Sequence, residues 1–297
     1  MTARLIDGRA LAEKIIKDLE PRIARLKAQN RLPHLVSIQV GDNPASRVYI
    51  RNQQKSCQEV GLRYTLVELP AETTQAEVAA KIDAFNADRS ASGIILQMPV
   101  PKGLDGRLLQ WRIAPEKDVE GVNPANMGYV VYGQPRLAPC TAMAVYELIK
   151  FSGTQVKGAE ICLVGHSDIV GKPATLLLLS DFGTTTTCHI ETRDVKAHSR
   201  LADILVVAVG KAGLITADMI KPGATVIDVG INRVDAKDKD GKPVLDDSGK
   251  PKKKTVGDVD FEPALQVAGA ITPVPGGVGQ VTTAILIRNT VLAAEMQ

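Results

Sequence analysis

Aromatic side chains are scarce in these 297 residues: one Trp, five Tyr and four Phe, 3% of the chain. So few flat rings leave little for the base-stacking platforms that bind single-stranded nucleic acid. A surplus of one charge sign is also missing. The 36 Lys and Arg face 33 Asp and Glu, for a net charge of +3, which offers no broad phosphate-neutralising surface. No run of about 18 apolar residues occurs, so no segment reads as a membrane-spanning helix. Residues 1–8 lack the apolar core of a signal peptide, which makes the cytoplasm the expected location. Only four cysteines are present, Cys57, Cys140, Cys162 and Cys188. None forms a CxxC pair, so neither a metal knuckle nor a redox motif is expected, and free thiols packed as small core hydrophobes are. Internal repeats and low-complexity tracts are absent too.

What is present is aliphatic. Hydrophobic residues make up 44% of the chain and glycines number 25, a composition that suits helices packed closely on a parallel sheet. At roughly 150 residues per domain the length suggests about two domains. Helix and strand patterns alternate along the chain, which predicts an α/β fold. Asp7 can cap a helix carrying Leu11, Ile15, Leu19, Ile23 and Leu26 on one stripe. Strands are predicted over 34–40, 63–69 and 93–97, with helices over 44–60 and 74–87. Six prolines loosen the pattern between Met98 and Pro139, which reads as the crossing between domains. A helix over 141–151 opens a second α/β unit, with strands over 160–164, 184–189, 204–207 and 225–229. Residues 233–255 carry eight Lys or Arg and five Asp. With turn signals at Asp240-Gly241 and Ser248-Gly249 they read as an exposed hairpin or loop, and Lys252, Lys253 and Lys254 as its solvated tip. The last helix is predicted over 280–295, after a Pro-Gly loop at 273–279.

In the second unit Gly165 and Gly171 bracket a strand-to-helix turn. Glycine there lets backbone approach a pyrophosphate at a helix N-terminus. The six-residue spacing is not GxGxxG, so by spacing alone an ordinary βα turn is the favoured reading; the complete βαβ unit that follows raises the dinucleotide one. Glu191 lies about 20 residues beyond Gly171, where an acid bonds ribose hydroxyls and repels a 2′-phosphate. Gly210 and Ile231 follow the next two predicted strands, at the carboxyl ends where open α/β sheets bind ligands.

Seven ordered motifs carry a resemblance. They are Asp42-Asn-Pro-Ala-Ser46, Tyr49, Gln97-Met-Pro-Val-Pro101, Lys117-Asp-Val-Glu-Gly121, Pro139-Cys-Thr141, Gly165-x-Ser167-x-Ile-Val-Gly-x-Pro173 and Thr272-Pro-Val-Pro-Gly-Gly-Val-Gly279. Together they resemble the FolD-type methylenetetrahydrofolate dehydrogenase/cyclohydrolase family over nearly the whole chain. The resemblance implies an N-terminal α/β folate-binding domain (1–120 with 273–297) and a Rossmann-like NAD(P)-binding domain (140–272). Residues 121–139 would cross between them, and a folate cleft would separate them. It also implies a homodimer formed through the cofactor domains. Two activities follow: oxidation of 5,10-methylenetetrahydrofolate with NAD or NADP, and hydrolysis of the methenyl product. By the resemblance Tyr49, Gln53 and Gln97 occupy the catalytic positions, with Tyr49 packing on the folate. Leu96, Met98, Glu120 and the loop Pro275, Gly276, Gly277, Val278 and Gly279 border the substrate. Gly165, His166, Ser167, Ile169, Ile190, Glu191, Gly210 and Ile231 line the cofactor.

The chain departs from the family pattern where the chemistry is most exacting. The family's catalytic lysine follows the tyrosine by four residues, and here that residue is Gln53. Residues advance about 100° each along a helix, so Gln53 stacks over Tyr49 while Arg51 and Lys55 point away. Hydride transfer needs no titrating group, but hydrolysis of the methenyl carbon does. A dehydrogenase with lost or weak cyclohydrolase activity is therefore expected. Two alternatives stand beside it: a bifunctional enzyme using water or Lys102 for proton transfer, and a non-catalytic folate- and dinucleotide-binding paralogue. Glu120 replaces the family's Asp, Gln280 and Ala142 each replace a proline, and His166 and Ile190 stand where 2′-phosphate partners occur in some members. With Glu191 adjacent, NAD is favoured over NADP, although Arg193 can still supply a phosphate contact.

Overall fold

The computed structural model describes residues 2–236, 243–245 and 249–297. The chain opens with strand β1 (Arg4–Leu5) and helix α1 (Gly8–Ala28), then β2 (His34–Val40), α2 (Pro44–Glu59), β3 (Arg63–Leu69), α3 (Gln75–Ala87) and β4 (Gly93–Leu96). Helices α4 (Gly106–Arg112), α5 (Pro124–Val131) and α6 (Cys140–Phe151) follow. Next come β5 (Glu160–Val164), α7 (Gly171–Ser180), β6 (Thr184–Cys188), α8 (Val195–Ser199), β7 (Ile204–Val207) and β8 (Thr225–Asp228). The chain ends with β9 (Asn232–Asp235), β10 (Lys253–Val256), α9 (Phe261–Ala264), β11 (Ala270–Ile271) and α10 (Val278–Met296).

These elements pack as two units. One comprises Ala12–Met143 with Thr282–Gln297, the other Met1–Leu11 with Ala144–Val281. In the first, a parallel sheet of order β3-β2-β4 forms the base. Its central strand β2 is buried at all seven positions. Val36, Ile38, Ile94 and Leu96 pack there against Val78 and Ile82 of α3 and Leu109 of α4, and each such side chain contributes about 1.5–3 kcal/mol by leaving water. The stripe Leu11, Ile15, Leu19, Ile23 and Leu26 of α1 is buried as its spacing predicts, and Asp7 Oδ1 accepts hydrogen bonds from the N–H groups of Arg9 and Ala10 at the helix start. Thr74 and Glu77 close a capping box on α3.

The second unit holds a six-stranded sheet of order β1-β11-β8-β7-β5-β6, parallel throughout. Successive strands β6 and β7 lie on opposite sides of β5, so the order reverses there, the arrangement of a doubly wound dinucleotide-binding sheet. All four cysteines are free and buried. The charged segment forms an antiparallel hairpin base, with Asn232 opposite Val256 and Asp235 opposite Lys253. Lys252, Lys253 and Lys254 are exposed on it, while the turn signals Asp240, Gly241 and Ser248 lie outside the described residues.

Three features differ from the sequence reading. The Pro-rich stretch 98–139 holds two helices, α4 and α5, started by the caps Asp105 and Asn123, so residues 121–139 pack within the first unit. Strand β1 pairs with β11, which places the N-terminal residues and the loop 273–277 with the six-stranded sheet; only the distal part of α10 rejoins the first unit. Helix α10 starts at Val278, two residues early, so Val278 and Gly279 are helical.

Candidate active site

In the three-stranded unit the candidate residues meet at the carboxyl ends of β2 and β4. Gln97 follows β4 directly, and its N–H continues the ladder by donating to Ile38 O at 2.8 Å. Its side chain is buried, and Nε2 donates both to Ser37 Oγ and to Gln53 Oε1, each at 2.9 Å. Gln53 reaches this point from α2, one turn beyond Tyr49. It is 7% exposed, whereas Tyr49 is 49% exposed and available to a flat ligand. Arg51 and Lys55 face solvent, and Lys55 pairs with Glu59. Ser46 Oγ donates to Met98 O at 3.1 Å, tying α2 to the Met98–Pro99 loop. Met98 is exposed, but Leu96 is fully buried in the core; its side chain is packing, not the ligand contact the family pattern implies.

The Lys117–Gly121 motif is largely architectural. Lys117 Nζ donates to Phe85 O and Asp88 O at the end of α3. Asp118 is fully buried and accepts from the N–H groups of Gly121 and Asn123 and from Asn126 Nδ2. It bridges Ile94 in parallel register, and the chain turns directly after it through Val119 and Glu120. Glu120 Oε2 accepts from Gln110 Nε2 at 3.1 Å. Burial, reinforced by the neighbouring Asp118 carboxylate, pushes Glu120 up to about 7.

In the six-stranded unit the glycine turn folds tightly on itself. Gly165 has φ +118°, and a Cβ there would fall 2.2 Å from Ala208 O. A Cβ at Gly171 would fall 2.1 Å from Gly165 O. Only glycine permits these approaches, which join the loops after β5 and β7. Ser167 closes the turn: its Oγ accepts from Val170 N, and its carbonyl from Lys172 N. What the turn offers a ligand is the exposed edge His166, Ser167 and Ile169. After β6, Ile190 is 93% exposed. Glu191 is exposed beside it and donates its N–H to His189 Nδ1, and the His189 and His166 rings stand 5.1 Å apart.

Two carboxylates that the sequence reading did not single out as functional shape the neighbouring loops. Asp258 Oδ2 accepts from Val209 N and Gly210 N at 2.7 and 2.9 Å, and its Oδ1 from Asn232 Nδ2. Asp228 accepts from the N–H groups of Gly230, Asp258 and Val259, and burial pushes it up to about 6. The pair fixes the loops that carry Gly210 and Ile231, and Ile231 is exposed. Their signal was the placement of acids at and beyond the end of a predicted strand. In the loop before α10, Gly8 N donates to Gly276 O at 3.0 Å, and a Cβ on Gly8 would fall 2.1 Å from Gly277 O. Pro275 follows a cis peptide bond. Among the described residues no group of His, Cys, Asp and Glu is assembled for a metal ion, and no helix is long and apolar enough to cross a membrane.

The two halves match two family models. The tetrahydrofolate dehydrogenase/cyclohydrolase catalytic domain matches residues 6–120, and the NAD(P)-binding domain of the same family matches residues 139–297. The chain is 48% identical to a "Bifunctional protein FolD" of Bordetella avium over 295 residues, covering 99% of this chain and 98% of that protein. It is 46% identical to the protein of that name from Moorella thermoacetica, covering 99% of each. Among solved structures, the bifunctional FolD methylenetetrahydrofolate dehydrogenase/cyclohydrolase of Campylobacter jejuni aligns with a TM-score of 0.91 at 39% identity, covering 99% of both chains. The Trypanosoma brucei dehydrogenase-cyclohydrolase, solved with NADP and an inhibitor, aligns with a TM-score of 0.90 at 37% identity, covering 100% of this chain and 98% of that one. With both family domains present and its two sheets built as described, the chain belongs to the tetrahydrofolate dehydrogenase/cyclohydrolase family, NAD(P)-dependent enzymes of one-carbon folate metabolism.

Proposed function

We propose that this enzyme oxidises 5,10-methylenetetrahydrofolate to the methenyl form, and that its cyclohydrolase activity is lost or weak. The observation that carries the second half is Gln53, buried against Gln97 at the position where the family pattern has lysine. A carboxamide donates and accepts hydrogen bonds but does not titrate near neutral pH. Hydride departure from the methylene carbon is assisted by the folate's own nitrogens, so positioning and local dipoles suffice for it. Water attack on the methenyl carbon needs a proton taken and another given, and general acid–base groups supply about 10²–10⁴-fold in such steps.

In this reading Tyr49 stacks on the pterin, Gln53 and Gln97 present fixed amides to the reacting carbon, and Glu120 with Met98 borders the ring. Pro275, Gly276 and Gly277 leave room for a flat ligand, with Val278 and Gly279 opening the helix behind them. When bound, the oxidised nicotinamide cofactor supplies the hydride acceptor. The glycine turn at Gly165 lets the loops after the adjacent strands β5 and β7 close on each other, at the carboxyl ends where doubly wound sheets bind dinucleotides. His166, Ser167, Ile169, Ile190, Glu191, Gly210 and Ile231 form its rim. Glu191 repels a 2′-phosphate and accepts from ribose hydroxyls, so NAD is the favoured cofactor. The chain is further proposed to dimerise through its dinucleotide unit, where β6 is a sheet edge; sedimentation velocity reads that directly.

A spectrophotometric assay tests the whole reading. Methylenetetrahydrofolate and NAD should give methenyl absorbance that then decays no faster than in buffer. Rapid decay, with a rate comparable to oxidation, supports the bifunctional reading that the names of the relatives favour. No absorbance with either cofactor supports the non-catalytic paralogue. A kcat/KM larger with NADP than with NAD removes the cofactor preference.

A further inference from the structure

Ser37 is the one hydroxyl on the otherwise apolar stretch Leu35–Ile38 of the central strand β2, and it is fully buried. Its lateral neighbours in the sheet are Leu66 and Ile95, so nothing in the ladder calls for a polar side chain. Gln97 lies two residues beyond Ile95 and Tyr64 two before Leu66, so all three share the face of the sheet that Ser37 occupies. Ser37 Oγ accepts one Nε2 hydrogen of Gln97 at 2.9 Å. The other Nε2 hydrogen goes to Gln53 Oε1 at 2.9 Å. On the far side, Tyr64 Oη is buried with no hydrogen bond of its own, and burial pushes it up to about 12 against the pull of the Ser37 hydroxyl. Ser37 thus offers its lone pair to Gln97.

This order has a consequence for residue 53. An amide that donates both its hydrogens has a defined polarity, and its partner must present oxygen to it. Gln53 therefore turns Oε1 inward, and the N–H groups on the other side of its amide are what remain for a ligand. We propose that Ser37 is a positioning residue of the dehydrogenase: through Gln97 it holds Gln53 as a neutral hydrogen-bond donor at the reaction centre. The proposal rests on the reading of Gln53 and Gln97 given above. It adds a residue that no family motif of this sequence contains, and it accounts for a buried hydroxyl that packing does not.

A double-mutant cycle on the dehydrogenase rate tests it. Ser37→Ala removes the acceptor and frees the Gln97 amide to turn. The expected result is a kcat about tenfold lower, the scale of one buried hydrogen bond, with the dinucleotide KM unchanged. Gln53→Ala should lower kcat by a similar factor. The double variant should fall no further than either single one, because both act along one chain of bonds. Ser37→Cys, close in size but a poor acceptor, should lower kcat more than twofold but less than Ser37→Ala, and it serves if the alanine variant fails to fold. A Ser37→Ala or Ser37→Cys enzyme within twofold of native kcat overturns the proposal, and so does a double variant whose losses multiply. Gln97→Ala separates the two claims. A native rate there removes the reaction-centre reading and the positioning role with it, whereas an impaired Gln97→Ala beside a native Ser37→Ala removes the positioning role alone.

Discussion

Gln53 Oε1 accepts from Gln97 and its Nε2 carries two further hydrogens, none of which leaves near neutral pH. Placing a titratable amine there is therefore the direct test of the proposed loss of cyclohydrolase activity. Gln53→Lys is expected to raise the decay of methenyl absorbance at least about tenfold, toward the range general acid–base groups supply. Glu120 behaves in the opposite way, as a titrating group held near pH 7 by burial. Its carboxyl keeps a proton in the folded chain that the unfolded chain has already released. Folding stability from this group is thus complete below about pH 4 and falls as pH rises through about 7. Glu120→Gln stays neutral, keeps an acceptor for Gln110, and should flatten that slope. Urea unfolding at pH 5 and pH 8 should show the native chain losing about 1–3 kcal/mol more than the variant. That Gln53 faces away from Arg51 and Lys55 was legible because helical spacing fixes azimuth. The pKa of Glu120 was not, because desolvation depends on everything packed around it.

At the scale of elements, strand β8 and the hairpin after it are joined by carboxylates rather than by side-chain packing. Asp258 holds the N–H groups of Val209 and Gly210 while Asp228 holds Gly230, Asp258 and Val259. Asp258→Ala removes three hydrogen bonds; Val209 and Gly210 are exposed, so water takes up part of the loss and about 1 kcal/mol remains for each bond. The expected outcome is a loss of about 2–4 kcal/mol in urea unfolding, with a raised KM for the dinucleotide and a folate KM that changes little. Strands such as β2, β3 and β5 were legible to the residue, because their apolar runs end at turn formers. Helices α4 and α5 were not, although Asp105 and Asn123-Pro124 are ordinary start signals. Proline density masked them, since prolines at helix starts and prolines in loops look alike without tertiary context.

Each unit is assembled from distant parts of the chain. The last helix is the clearest case: Asn289 Nδ2 donates to Val119 O and Ala138 O, and Glu295 pairs with Arg22 and Arg25. Asn289 is buried, so Asn289→Leu strands two carbonyls and should cost about 2–3 kcal/mol in chemical unfolding. Deleting residues 282–297 should leave the three-stranded unit unfolded by circular dichroism. The discontinuity was only half legible. The return of α10 was expected from the family pattern, but the two-residue strand β1 was not. A strand that short carries no periodicity, and pairing with β11 alone defines it.

The sequence by itself determined the alternation of helices and strands, the family and the glutamine at position 53, because periodicity, caps and ordered motifs are local properties. The tertiary structure alone decided where the units divide and that Leu96 belongs to the core. It also placed Ser37 behind Gln97, and Asp258 beneath Gly210. These are contacts between residues tens of positions apart, set by strand register and by how helices settle on a sheet. Local residue preferences carry no information about such contacts until the chain has folded.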